Sequence, residues 1–161
     1  MNAVLDIEIL DDRIIERSGD LSFSEQVAFI GRTLARCPQT DCPVIHRFAP
    51  GVYLREIHMP ADTVVIGKVH RTEHFNVLIK GSCFIVHDDG RREELRAPMT
   101  FVSKAGVQKV LYILEDMIWQ TIHPTDETDM EKLEADIVEP CEWAVPNAVT
   151  AECRRIAEER A

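Results

Sequence analysis

Aromatic residues make up only 6% of the 161-residue chain, and glycine and proline number just seven and eight. So little Gly and Pro excludes a collagen-like or low-complexity polymer, and 45% apolar against 29% charged residues excludes a chain too polar to collapse. No run approaches the ~18 apolar residues that span a bilayer, and the start MNAVLDIEILDDR lacks the basic flank and continuous apolar stretch of a signal peptide. A cytoplasmic protein is therefore expected. Basic charge is also short. The net charge of −10 divides as −4, +1 and −7 over residues 1–45, 46–123 and 124–161. A field of that sign repels phosphate backbones and anionic lipid, so neither nucleic acid nor membrane is expected as a partner. The cysteines, Cys37, Cys42, Cys83, Cys141 and Cys153, are odd in number and without CxxC spacing, against both a disulfide framework and a thiolate zinc site. GxSxG, GxGxxG, Walker and HExxH patterns are missing, so a nucleophilic mechanism has no candidate. The acidic run 126–142 lacks EF-hand spacing and reads as a solvated helix face.

What is present suits one domain. Phe23, Val27, Ile30 and Leu34 recur at helical spacing behind Ser22 and Glu25, the form of a capping box, and Pro38 ends the helix. From residue 46 to 123 the texture changes to eight short runs rich in β-branched residues: VYLREIHM, TVVIGKV, FNVLIKG, CFIVHDDG, EELRAP, TFVSKAG, KVLYIL and MIWQTIH. This spacing predicts an antiparallel barrel or sandwich, with a hairpin turn at Asp88-Asp89-Gly90. After Pro124, Thr128 and Glu131 form a second capping box ahead of Met130, Leu133 and Ile137, and residues 148–160 read as a short charged helix. The expected organisation is a helical extension over 1–45, a barrel over 46–123 and an acidic helical extension over 124–161. Helices this short must dock on the barrel or on a second copy, and a homodimer is expected.

The chemistry concentrates in GKVHRTEHFNVLIKG, residues 67–81. Period-2 alternation puts Lys68 and His70 on one face of an incoming strand, and His74, Asn76 and Leu78 on one face of an outgoing strand after a tight corner. Polar side chains facing a barrel interior need partners, and a bound ligand or metal supplies them. The segment resembles the cupin superfamily of antiparallel jelly-roll barrels, whose likeness extends from about Pro50 to Pro124. Anchored on Gly81, the family's first-motif Glu position falls on His74, its two histidines on Lys68 and His70, and its opening Gly on Asp62. Anchored on Gly106, the second-motif His falls on Lys109, its Asn on Ile113, its leading Gly on Pro98 and its Pro on Lys104. The stretches REIHMPADTVVIGKVHRTEHFNVLIKG, APMTFVSKAG and W-x-TIHPTDETD are also similar to small cupin proteins of bacteriophage and prophage genomes, which implies a place in a host cytoplasm.

The resemblance implies a site that normally takes three histidines and a carboxylate. Here two of the four positions are imidazole and two are lysine, and each lysine ammonium repels a cation by roughly 4 kcal/mol per unit of metal charge at 4 Å and an effective dielectric of 20. The leading expectation is therefore a non-catalytic module binding a small anionic molecule through Lys68, His70, His74, Asn76 and Lys109, with bound anion keeping the imidazoles protonated. The alternatives are a metal-dependent dioxygenase or isomerase and a structural or virion protein with a filled barrel. The first would hold Fe, Mn, Ni or Zn on His70 and His74, with a third ligand such as His58, His87 or His123. For His46, His58, His87 and His123 a structural hydrogen bond is the plainer expectation. Tyr53, Phe101 and Trp119 read as core, and Arg55 faces inward only if the register places it with Tyr53 and Ile57.

Overall fold

A computed structural model describes residues 22–87 and 91–141. The predicted turn at 88–90, the helix at 148–160 and Cys153 lie outside the described residues. The chain divides into two compact units, one comprising residues 1–40 with 141–161 and the other Asp41–Pro140.

In the first unit, helix α1 spans Phe23–Leu34. Its start is the predicted capping box: the Ser22 hydroxyl accepts from the Glu25 backbone N–H, and the Glu25 carboxylate accepts from the Ser22 N–H at 2.8 Å.

The second unit is mainly β. Seven antiparallel strands form one sheet, β1 Val44–Ala49, β2 Val52–Met59, β3 Thr63–Ile66, β4 His74–Val86, β5 Arg92–Arg96, β6 Met99–Ser103 and β7 Val110–Pro124. The order is β1-β2-β7-β4-β5, with β3 added to β7 and β6 to β4. Four of the predicted runs merge into two long strands, since FNVLIKG and CFIVH are both β4, and KVLYIL and MIWQTIH are both β7. The joint in β4 is Gly81, at φ +83° among bulges between Leu78 and Cys83. A Cβ there would stand 2.4 Å from the Asp116 carbonyl oxygen of β7, so only glycine lets the paired strands bend together at this point. The bend curls the sheet into a jelly-roll shape with one side facing inward. β1, an edge strand exposed along most of its length, was not among the predicted runs.

Two clusters fill the inward face. The larger joins Met59, Leu78, Cys83, Ile85, Leu95, Leu111, Ile113, Met117 and Trp119, with Phe101 packed edge-on to Trp119. The smaller joins Tyr53 to Leu133 and Ile137 of helix α2, Met130–Ile137. This helix docks on the barrel within the same unit: Arg71 N–H donates to Ile137 O, Glu139 N–H donates to Val69 O, and His70 bridges Val138. Its N-cap is Asp129, whose carboxylate accepts from the Glu131 and Lys132 N–H groups, one residue beyond the expected Thr128. The four described cysteines, Cys37, Cys42, Cys83 and Cys141, are all free thiols.

Candidate metal centre

The β2–β7–β4–β6 register sets side chains across the inward face in rows. Tyr53 pairs with His123, and His74 pairs with Ser103. One row further in, His46 pairs with Arg55, Arg55 with Thr121, Thr121 with Asn76, and Asn76 with Phe101. The next row is apolar, with Ile57, Trp119, Leu78 and Met99. One end of the barrel interior is thus polar, and α2 lies over it.

Three imidazoles meet there. His74 opens β4, His123 sits near the end of β7, and His70 arrives from the corner after β3, where Gly106 N–H donates to its carbonyl. Their ring centroids are 4.2 Å (His70–His74), 4.8 Å (His74–His123) and 4.9 Å (His70–His123) apart. A ligating nitrogen from each lies within 4.8 Å of the others. His70 Nδ1 is 3.1 Å from His74 Nε2. Two imidazoles on one tetrahedral ion, at metal–nitrogen distances of 2.0–2.1 Å, have ligating nitrogens about 3.3 Å apart, close to that spacing.

The hydrogen bonds set the tautomer. His74 Nδ1 lies 3.0 Å from the Thr72 carbonyl, which only accepts, so Nδ1 carries the proton and Nε2 of the neutral ring presents a lone pair to the cluster. An outer N–H held by a backbone carbonyl is the usual support of a metal-binding histidine. His123 is completely buried, and neither of its ring nitrogens has a partner among the described residues. An orphaned buried polar atom costs about 1–3 kcal/mol, so a neutral ring whose lone pair and N–H are both unpartnered calls for an occupant, and a cation would take the lone pair.

Burial decides the charge of the cluster. It pushes the His70 imidazole down to about 3 and His123 down to about 4, with neighbouring imidazoles and cations adding to the effect. Burial also lowers His74, against the Thr72 hydrogen bond, which opposes the shift. The rings are therefore neutral lone-pair donors at neutral pH, as metal ligands must be, rather than the imidazolium groups of the expected anion pocket.

The other expected site residues are placed as follows. Asn76 is buried, and its amide serves the fold: Nδ2 donates to Ser103 Oγ at 2.9 Å and Oδ1 accepts from Trp119 Nε1 at 3.0 Å. Lys109 lies just ahead of β7, its carbonyl accepting from Gly67 N–H, and burial brings its ammonium down to about 8. Lys68 is not part of the cluster. It is about half exposed and forms an ion pair with Glu134 of α2, because the chain leaves strand geometry after Ile66 and the alternation that put Lys68 beside His70 stops there. His58 bonds Glu56 on the outer face, His87 bonds Glu93, and His46 bonds the Tyr53 hydroxyl, so none of the three joins the triad. Arg55 stands in register with Thr121, on the inward face, and desolvation lowers its guanidinium below the usual value. His123 was expected either as one of three possible third ligands or, more plainly, in a structural hydrogen bond; among the described residues it has no such bond, and it is the one that joins His70 and His74.

No family model and no curated protein sequence matches the chain. Solved structures do. Ectoine synthase from P. lautus superposes with a TM-score of 0.50 at 13% identity, covering 68% of this chain and 82% of that one. A cupin-2 domain protein from Shewanella frigidimarina gives 0.42 at 16% identity over 60% of this chain and 92% of its own. A cupin domain from Bordetella pertussis gives 0.44 at 13% identity over 54% and 96%. At these identities the likeness is one of fold, a cupin-like jelly roll. No helix among the described residues is long and apolar enough to cross a membrane.

Proposed function

We propose that this chain is a metal-binding cupin module that holds one divalent cation on His70, His74 and His123. The observation that carries the reading is His123, a fully buried imidazole with both nitrogens unpartnered, set against two other imidazoles whose burial keeps them neutral. Three imidazoles suit zinc, iron, nickel or copper better than magnesium or calcium, which take oxygen ligands. Such an ion, when bound, supplies Lewis acidity and open coordination positions at the barrel end. The protein's own part is to keep three lone pairs converged, to fix the His74 ring through Thr72, and to limit water access by packing α2 over Tyr53.

The test is elemental analysis of protein purified without a histidine tag, followed by titration of metal-free protein with Zn(II), Ni(II), Mn(II) and Fe(II). The reading requires one equivalent of metal per chain, lost in His123→Ala. Failure of every ion to bind at micromolar concentration overturns it.

A further inference from the structure

Three neutral imidazoles leave the full charge of a divalent cation uncompensated, and the structure adds two more positive groups beside them. Arg55 lies on the inward face, one row from His123, and Lys109, just ahead of β7, acts electrostatically on both His70 and His74 and lies three residues from the Gly106 that holds the His70 carbonyl. Neither has a hydrogen-bonded carboxylate among the described residues. The carboxylate that acts on Arg55 is that of Glu134, and it is engaged by Lys68. Next to Arg55, in direct register, the Thr121 hydroxyl is more than nine-tenths buried and has no hydrogen-bond partner among the described residues. A guanidinium, an ammonium and an orphaned hydroxyl near one end of the barrel, with the Glu134 carboxylate paired to Lys68, amount to an oxyanion cradle.

We infer that the barrel end takes a small molecule through a carboxylate or phosphate group held by Arg55, with Thr121 Oγ1 and Lys109 as further donors, beside the His70/His74/His123 cluster. The inference rests on the proposed metal reading for its second half, that an oxygen of the same molecule reaches the cation. Its first half stands on the cradle alone. The guanidinium fork supplies two parallel donors to two oxygens, which a lysine in its place would not. A dianion there also offsets the mutual repulsion of Arg55, Lys109 and a divalent ion.

Calorimetric titration of the full chain, metal-free and zinc-loaded, with sodium malonate and with inorganic phosphate tests it, choline chloride serving as the ionic-strength control. At least one of the two anions should bind the zinc-loaded protein. Arg55→Met should weaken it at least about 10-fold, and Lys109→Met and Thr121→Val by about 3-fold or more, because each removes a charged or buried donor. Arg55→Lys should recover only part of the loss. The tighter of the two anions identifies the group carried. Zinc affinity should be no weaker in Arg55→Met, since a neighbouring positive charge has been removed. If zinc binds and neither anion does, or if all three donor variants bind anion as the unaltered chain does, the oxyanion inference is overturned and the metal reading stands. If Arg55-dependent anion binding is found in a chain that takes no metal, the metal reading falls and the cradle remains.

Discussion

Strands β4 and β7 each cross the whole barrel interior, and along both of them the inward side chains change character partway. On one side of the Trp119–Leu78 row lie Cys83, Ile85, Leu95, Leu111, Ile113 and Met117, an apolar end in which every contact is dispersion and burial. On the other side the same two strands present Asn76, His74, Thr121 and His123, with Arg55 from β2 beside them. Asn76 marks the boundary, its amide tied to Trp119 on one hand and Ser103 on the other. The apolar end satisfies its own atoms. The polar end does not, for among the described residues it keeps three buried side-chain atoms without partners, on Thr121 and His123. A fold that only needed stability would fill both ends alike, so the difference supports the proposal that the apolar end holds the strands together and the polar end a bound group.

Substitutions that treat the two ends alike should give opposite results. Ile113→Ala, at a fully buried position in the apolar end, should cost about 2–5 kcal/mol in denaturant unfolding, metal-free or metal-loaded. His123→Leu should instead stabilise the metal-free protein by about 1–3 kcal/mol, by removing two orphaned nitrogens, while weakening metal binding by more than about 100-fold. A destabilised metal-free His123→Leu protein would mean that the polar end is structural. Acid should separate the ends as well. Unfolded imidazoles take up protons near pH 6.5, whereas His70 and His123 in the fold do so only near 3 and 4. Between those limits the unfolded state binds more protons, so these groups contribute stability that is complete above about pH 6.5 and lost as the pH falls toward 3. Thermal melts of metal-free protein between pH 7.5 and 4 should show that fall, and it should be shallower in His123→Leu.

How far the sequence foretold this depends on which end is considered. Alternation in VYLREIHM, FNVLIKG and MIWQTIH made the apolar face legible, because a row of β-branched and aromatic residues at period 2 has few other uses. The strand β1 was missed since an edge strand exposed on both faces has no such pattern. The long strands were each read as two, because Gly81 and the Glu115-Asp116 pair look like turns in sequence and act as matched bends in the sheet. At the polar end His70 and His74 were legible from their spacing and from the family motif, but the motif also placed Lys68 at the site. Alternation applies only while the chain stays in a strand, and beyond Ile66 it does not. His123 was one of three candidates for a third ligand and could not be singled out, for a different reason. It is far in sequence from the other two, and only the β4–β7 register, with Phe75 opposite Ile122, brings it beside His74. The helix that lies over this end was visible in outline, though its cap was off by one residue.

That last displacement is the smallest effect and the most direct to check. Sequence pattern alone gives Thr128 the cap of α2, paired with Glu131; the structure gives it to Asp129, which accepts from two backbone N–H groups at 3.1 Å. Asp129→Ala should then cost about 1 kcal/mol, while Thr128→Ala should change stability by less than about 0.5 kcal/mol. Because α2 packs Leu133 and Ile137 on Tyr53, and Tyr53 stacks on His123 at 6.0 Å, loosening the cap also loosens one wall of the triad. Asp129→Ala should therefore weaken metal binding slightly while leaving the apolar end as protected in hydrogen exchange as before. Equal loss of protection at Ile113 and at His123 would show instead that the two ends open as one cooperative unit.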